Sequence, residues 1–147
     1  MSVRKATQDD VLDIVLLARQ FLKEAKTPIK LDKALFTKNL EATLDNANYF
    51  FYVSEQEGEV IGCLAGQISN TIFSSVPIAV EIGWFIDPAY RKARDGLKLF
   101  STFEQWAKSK GCEAISMGDL AEVQDLAPLY KRRGYELFER TYIKELK

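Results

Sequence analysis

Residues 80–111 read VEIGWFIDPAYRKARDGLKLFSTFEQWAKSKG, and this stretch decides the fold. A strand pattern runs into Asp87-Pro88. A short basic loop follows, Arg91-Lys92-Ala93-Arg94-Asp95-Gly96, and then an amphipathic helix pattern that ends at Gly111. In that helix Leu99, Phe100, Phe103, Trp106 and Ala107 recur at helical spacing as the buried stripe. Strand, basic turn and helix N-terminus together form a layout that holds a phosphate. The first backbone N–H groups of a helix lack partners, and the helix dipole favours negative charge there.

Working outward, Ser2 to Ala6 reads as a short strand. Thr7 reads as the cap of a helix whose first turn carries Asp9 and Asp10, with Val11, Ile14, Val15, Ala18, Phe21 and Leu22 on its apolar face. Pro28 ends that segment, and residues 31–46 read as a second helix with Leu35, Phe36, Leu40 and Leu44 on one face. Residues 48–55 (NYFFYVSE) and 60–69 read as two strands joined by a hairpin turn around Gly58. A loop over 70–77 leads to the strand 78–86. After Gly111 come a strand over 113–117, a helix over 122–133 that stops at Gly134, and a strand or hairpin over 135–146. The order β-α-α-β-β-β-α-β-α-β predicts an α/β chain with a mixed sheet: an antiparallel N-terminal half, then a βαβ unit, with helices on both faces.

The whole stretch 1–147 reads as one domain, for no linker or repeat divides it. Hydrophobic content of 47% and aromatic content of 12% fit a packed core. A net charge of −1 gives no basic field for nucleic acid. No apolar run approaches the ~20 residues that span a bilayer, and MSVRKATQDD has no signal core, so the expected location is cytoplasmic and no membrane partner is expected. Cys63 and Cys112 read as reduced, buried thiols. With no histidine in the chain, Ser-His and Cys-His nucleophile systems and most catalytic zinc sites are excluded. No metal is expected.

The element order, with VEIGWFIDPAYRKARDG in the middle and APLYKRRGYELFERTYIKEL at the end, resembles the GNAT family of acetyl-CoA-dependent N-acetyltransferases. Two motifs carry the resemblance over nearly the whole chain. One is the strand-Pro-x-x-R loop and helix that in the family wraps the cofactor pyrophosphate. The other is Leu129-Tyr130-Lys131-Arg132-Arg133-Gly134-Tyr135, similar to the family's L-Y-x-x-x-G-Y/F element. Where the family loop usually carries glycine, this one has Arg94, and Lys92 stands where a second glycine is common. This form looks similar to a phage and prophage subset of the family. Arg91, Lys92 and Arg94 offer donors to the same phosphate oxygens; the bland alternative is a solvated basic surface.

The resemblance implies acetyl-CoA as co-substrate and acetyl transfer to an amine. Residues 91–97 (Arg91, Lys92, Ala93, Arg94, Asp95, Gly96 and Leu97) would bind the cofactor. So would the backbone of Phe85 and Ile86, where the family's strand splays from the one that follows, here around 114–116, and the pantetheine arm pairs with the freed groups. Tyr130 matches the tyrosine that protonates the leaving thiolate; otherwise it is a core tyrosine. A phenol of pKa ~10 is protonated at neutral pH. Glu81 stands where some members carry the base that deprotonates the amine through water. A carboxylate inside an apolar strand is costly unless paired or used; the alternative is a glutamate paired with a cation on a half-exposed face. Simple alternation puts Glu81, Gly83 and Phe85 on one face and Val80, Ile82, Trp84 and Ile86 on the other. Trp84 and the run Tyr49 to Tyr52 read as core, and Asp119 and Glu122 as candidates for the acceptor side. The acceptor is not legible, and the chain is expected as a monomer or a homodimer. A second function class stays open: a non-catalytic module of this fold that holds CoA or a protein partner.

Overall fold

In the computed structural model, which describes residues 2–91, 94–120 and 123–147, the sheet is built as the sequence order predicts. Strand β1 (Ser2–Lys5) is followed by helices α1 (Val11–Ala25) and α2 (Lys33–Leu44). Then come β2 (Tyr49–Gln56), β3 (Glu59–Ser69) and β4 (Ile78–Ile86), helix α3 (Asp95–Ser109), the two-residue β5 (Ile115–Ser116) and α4 (Ala127–Arg132). The sheet order is β1-β2-β3-β4-β5. The first four strands run antiparallel, and β5 lies parallel to β4 because α3 makes the crossover between them.

Alternation along β2 explains how both faces are covered. Phe50 and Tyr52 stack on each other at 4.3 Å and pack beneath α3 with Phe103 and Trp106. Phe51 and Val53 point the other way, into the layer of Ala6, Ile14, Leu40 and Leu44. So α3 covers one face, and α1 with α2 covers the other. Gly66 lets α3 come close: a methyl group there would sit 2.3 Å from the Phe103 ring.

Thr7 is the expected cap: it precedes the 3-10 turn Gln8–Asp10 that runs into α1, with Asp9 and Asp10 in that first turn. The Asp10 carboxylate reaches back to the Thr7 N–H at 2.8 Å as half of a capping box and is held by Arg4 at 2.7 Å. Arg4 therefore holds the Asp10 carboxyl below its ordinary pKa. On α2, Leu40 and Leu44 are buried, but Leu35 faces outward, one position beyond the stripe. Both cysteines are free thiols; burial pushes Cys63 up to about 12, which leaves it unreactive.

Two expectations at the C-terminal end are corrected. Helix α4 starts at Ala127, where Asp125 accepts from the Ala127 N–H and Pro128 suits a first turn; Glu122 lies outside the described residues. Residues 135–147 form no strand. A strand needs an edge to pair with, and β5 offers only Ile115 and Ser116 before the chain bends towards Gly118. Leu137, Phe138, Tyr142 and Leu146 are accordingly exposed.

Candidate active site between β4 and β5

Strands β4 and β5 pair at only two positions, Ala79 with Ile115 and Val80 with Ser116. Beyond Val80 the two part, and β4 keeps an edge unpaired by β5 as far as Ile86. On its other side, Asp87 donates to the Ile61 carbonyl at 2.8 Å, so that pair and every second pair before it, as far as Gly83, are hydrogen-bonded to β3. Phe85, expected to offer its backbone to a pantetheine, therefore turns its N–H and C=O towards β3. Trp84 and Ile86 direct theirs to the open edge, where the Ile86 carbonyl accepts from Arg91 Nε at 2.9 Å and the Ile86 N–H faces the gap.

A bulge corrects the predicted facing of β4. Ala65 pairs with Gly83, but Gly66 pairs with Glu81, which leaves Ile82 as the extra residue. Alternation slips by one there. Gly83 and Phe85 face Phe21 on α1, while Ala79, Trp84 and Ile86 face α3. Glu81 stands on the α3 side with Trp84, not with Gly83 and Phe85.

That shift brings Glu81 and Tyr130 to one place. The Gly118 N–H donates to Glu81 Oε1 at 2.9 Å, and the Tyr130 hydroxyl donates to the Gly118 carbonyl at 2.6 Å. One residue, Gly118, thus links the two candidate catalytic residues through the peptide groups on either side of its Cα. Burial pushes the Glu81 carboxyl up to about 7; the Gly118 bond works against this and the Asp119 charge adds to it. Burial also raises the Tyr130 phenol, and the Glu81 and Asp119 carboxylates raise it further. Tyr130 is oriented by its neighbours. Gly134 takes φ +87° at the end of α4, the Tyr135 N–H bonds the Tyr130 carbonyl at 2.9 Å, and the two rings lie 5.7 Å apart. Phe100 packs edge-on to Tyr130 and against Trp84.

At the far end of the open edge, α3 begins. Arg94 is its N-cap and is exposed; it makes no side-chain capping bond, and the first intrahelical bond runs from the Lys98 N–H to the Arg94 carbonyl at 3.0 Å. The N–H groups of Asp95, Gly96 and Leu97 thus have no partner within the helix. The Asp95 side chain turns inward, fully buried, and accepts from the Ser54 hydroxyl on β2, with Oδ1 left unpaired. The Arg91 guanidinium points away from this turn, to Glu24 on α1. Lys92 and Ala93, expected in the cofactor loop, lie outside the described residues. Among the described residues no group of metal-ligating side chains forms a site.

Sequence reading missed Ser54, Glu24 and the Gly118 peptide. Gly118 and Ser54 carry no periodic or motif signal. Glu24 sits one turn after Phe21 on α1, a spacing that marks its face but not its partner.

A mixed sheet split between its fourth and fifth strands, with a helix start at the mouth of the split, defines an acetyltransferase fold. Residues 15–135 match the model of the acetyltransferase (GNAT) family, and the chain belongs to that family, a class of acyl-transferring enzymes. A comparison with curated proteins finds no match. Among solved structures the chain is similar to a transcriptional regulator from Bacillus halodurans, with 19% identity, 99% of each chain covered and a TM-score of 0.81. It is also similar to a predicted acetyltransferase with acetyl-CoA from Clostridium acetobutylicum, with 15% identity, 98% of this chain and 95% of that one covered and a TM-score of 0.80. A third is the aminoglycoside 6'-N-acetyltransferase AAC(6')-IG from Acinetobacter haemolyticus, with 17% identity, 100% and 99% covered and a TM-score of 0.76.

Proposed function

We propose that the chain transfers acetyl from acetyl-CoA directly to a primary amine of a small molecule or protein. The observation that carries this reading is Gly118, whose N–H and C=O join Glu81 and Tyr130 where β4 and β5 part. Direct transfer needs a neutral amine and a proton for the departing thiolate. Glu81, held near neutrality by burial, accepts the amine proton, directly or through water. The amine nitrogen attacks the thioester carbonyl carbon, the tetrahedral oxyanion collapses, and the C–S bond breaks. The Tyr130 phenol then donates its proton to the sulfur. Taking up a proton at Glu81 removes a charge that holds the Tyr130 phenol up, so the first transfer makes the second easier.

In this reading the cofactor lies along the open edge, pairs with the backbone of Trp84 and Ile86 as an added strand, and sets its pyrophosphate on the N–H groups of Asp95, Gly96 and Leu97 with Arg94 beside them. Lys92 and Ala93 complete the loop on sequence grounds. The arginine inside that loop looks similar to the form in phage and prophage members, and on that residue alone we infer a kinship with them. The acceptor is an amine, with no nucleic acid or membrane partner. No helix among the described residues is long and apolar enough to cross a membrane, and the free thiols suit a reducing cytoplasm. The protein acts as a monomer or a homodimer.

Calorimetry with acetyl-CoA followed by a thiol-release assay over a panel of amines tests this. Binding at the micromolar level or tighter with thiol release for one amine class is expected. Binding without release for any amine favours the non-catalytic module, and no binding ends both the enzyme and the CoA-holding module and leaves a module that holds a protein partner.

A further inference from the structure

Arg91 is the arginine that the family resemblance assigns to the pyrophosphate, yet its guanidinium is committed elsewhere. Its Nε donates to the Ile86 carbonyl at 2.9 Å, and a terminal nitrogen pairs with Glu24 Oε2 at 2.6 Å. Its Cζ sits 5.2 Å from the centre of the Phe85 ring, and that ring packs edge-on to Phe21 at 6.1 Å. Phe21 and Glu24 lie one turn apart near the C-terminal end of α1. Three groups from two elements, the Ile86 carbonyl and the Phe85 ring on β4 and the Glu24 carboxylate on α1, thus hold one planar cation, and Phe21 backs the ring. Both members of the ion pair are mostly covered, at 24% and 30% side-chain exposure, so the pair is worth more than a surface bridge.

We propose that Arg91 is a positioning residue and not a phosphate ligand: with Glu24 it braces the turn before α3 against the end of α1, and so fixes the direction in which the α3 N–H groups point. The effect on the cofactor rests on the function proposed above; the brace itself does not. It makes Glu24, on a helix that touches none of the candidate catalytic groups, a determinant of cofactor affinity. It also ties that affinity to the segment 26–32 that leaves α1, where Lys26 takes φ +53°. Arginine is required, because lysine cannot reach a carbonyl, a carboxylate and a ring face from one flat group.

A double-mutant cycle on CoA affinity decides between the two roles, using Glu24→Gln, Arg91→Ala, both together, and Arg91→Lys. A brace predicts that each single change weakens CoA by about tenfold, that the double change is no worse than either single one, and that Arg91→Lys does not restore binding. The salt dependence of CoA binding stays as in the unmodified protein, because no phosphate contact is lost. If Glu24→Gln tightens binding, or if Arg91→Ala flattens the salt dependence and Arg91→Lys restores it, Arg91 is a phosphate ligand and the proposal fails. Amide hydrogen exchange on the ligand-free protein gives a second readout. Glu24→Gln should speed exchange both at residues 23–27 and at residues 89–91, with exchange in β1 and β2 as in the unmodified protein. Protection unaltered at either end overturns the brace. Should the unmodified protein fail to bind CoA, the proposed function falls, while the exchange result still decides the brace.

Discussion

Glu81 is the residue whose environment departs furthest from what its position in the sequence implies. Its apolar strand and its cost of burial are visible in the sequence; its partner is not, because Gly118 comes to it only through the bend after β5. If Glu81 is the base, the rate of acetyl transfer rises with pH through about 7, the value to which burial pushes it. Glu81→Gln removes that step and lowers the plateau, and a pH–rate profile checks both. The same shift has a stability consequence of unusual sign. Between its ordinary value of 4.5 and about 7, the folded carboxyl holds a proton that the unfolded one has released. Its contribution to folding is therefore greatest in acid and is lost as pH rises through about 7. The melting temperature of Glu81→Gln should gain on the unmodified protein between pH 5 and 8. Tyr130 is the second test at this scale. Tyr130→Phe deletes the proton donor and leaves the Gly118 carbonyl without its 2.6 Å bond. Turnover should fall by about 10²-fold or more with acetyl-CoA affinity unchanged. Equal turnover in a thiol-release assay removes the phenol from the reaction.

Helix α3 was legible as an element from its stripe of Leu99, Phe100 and Phe103, all fully buried. What the sequence did not disclose is how its first turn is anchored. An aspartate at the start of a helix reads as a dipole partner in solvent, yet Asp95 is buried on Ser54. Ser54→Ala leaves that carboxylate buried and unpaired, and should cost about 2 kcal/mol in urea unfolding. The double change Ser54→Ala with Asp95→Leu should recover most of the loss, because it removes the charge together with its partner. Gly96 separates packing from ligand binding. A methyl group there would stand 3.6 Å from Ile86 and 3.7 Å from Trp84, in ordinary contact. The fold does not require glycine at this position, and Gly96→Ala should keep or slightly raise the melting temperature through better helix propensity. If phosphate approaches the backbone here, the same change weakens CoA measurably in calorimetry. Strand β4 teaches the converse lesson. Its run of apolar residues marked it as a strand, but simple alternation past Glu81 and Gly83 hides the bulge at Ile82, which places Glu81 on the side of Gly118 and Tyr130 and not on that of Phe21.

At the level of the whole molecule, the layering was readable from the apolar stripes on α1 and α3 and from the continuous aromatic run of β2, which supplies side chains to both faces of the sheet. The C-terminal end was not. Leu137, Phe138, Tyr142 and Ile143 have the composition of a strand, but composition supplies no partner edge, and two residues of β5 do not supply one either. The same short β5 is what leaves most of β4 open, so the feature that defeated the strand reading creates the candidate site. It follows that the sheet is least tied together between β4 and β5, whose ladder is two residue pairs long. A ligand that lies along that edge, with one end on α3 and the other near Gly118, joins parts that the chain itself joins weakly. By linkage, CoA at about a hundredfold excess over its dissociation constant stabilises the folded state by about 2.7 kcal/mol, which for a chain of this size raises the melting temperature by roughly 5–10 °C. Hydrogen exchange should slow most at residues 81–86 and 114–118, on both sides of the split. A rise in melting temperature with protection confined to α1 and α2 would put the ligand on the wrong face of the sheet and exclude the β4 edge as its seat.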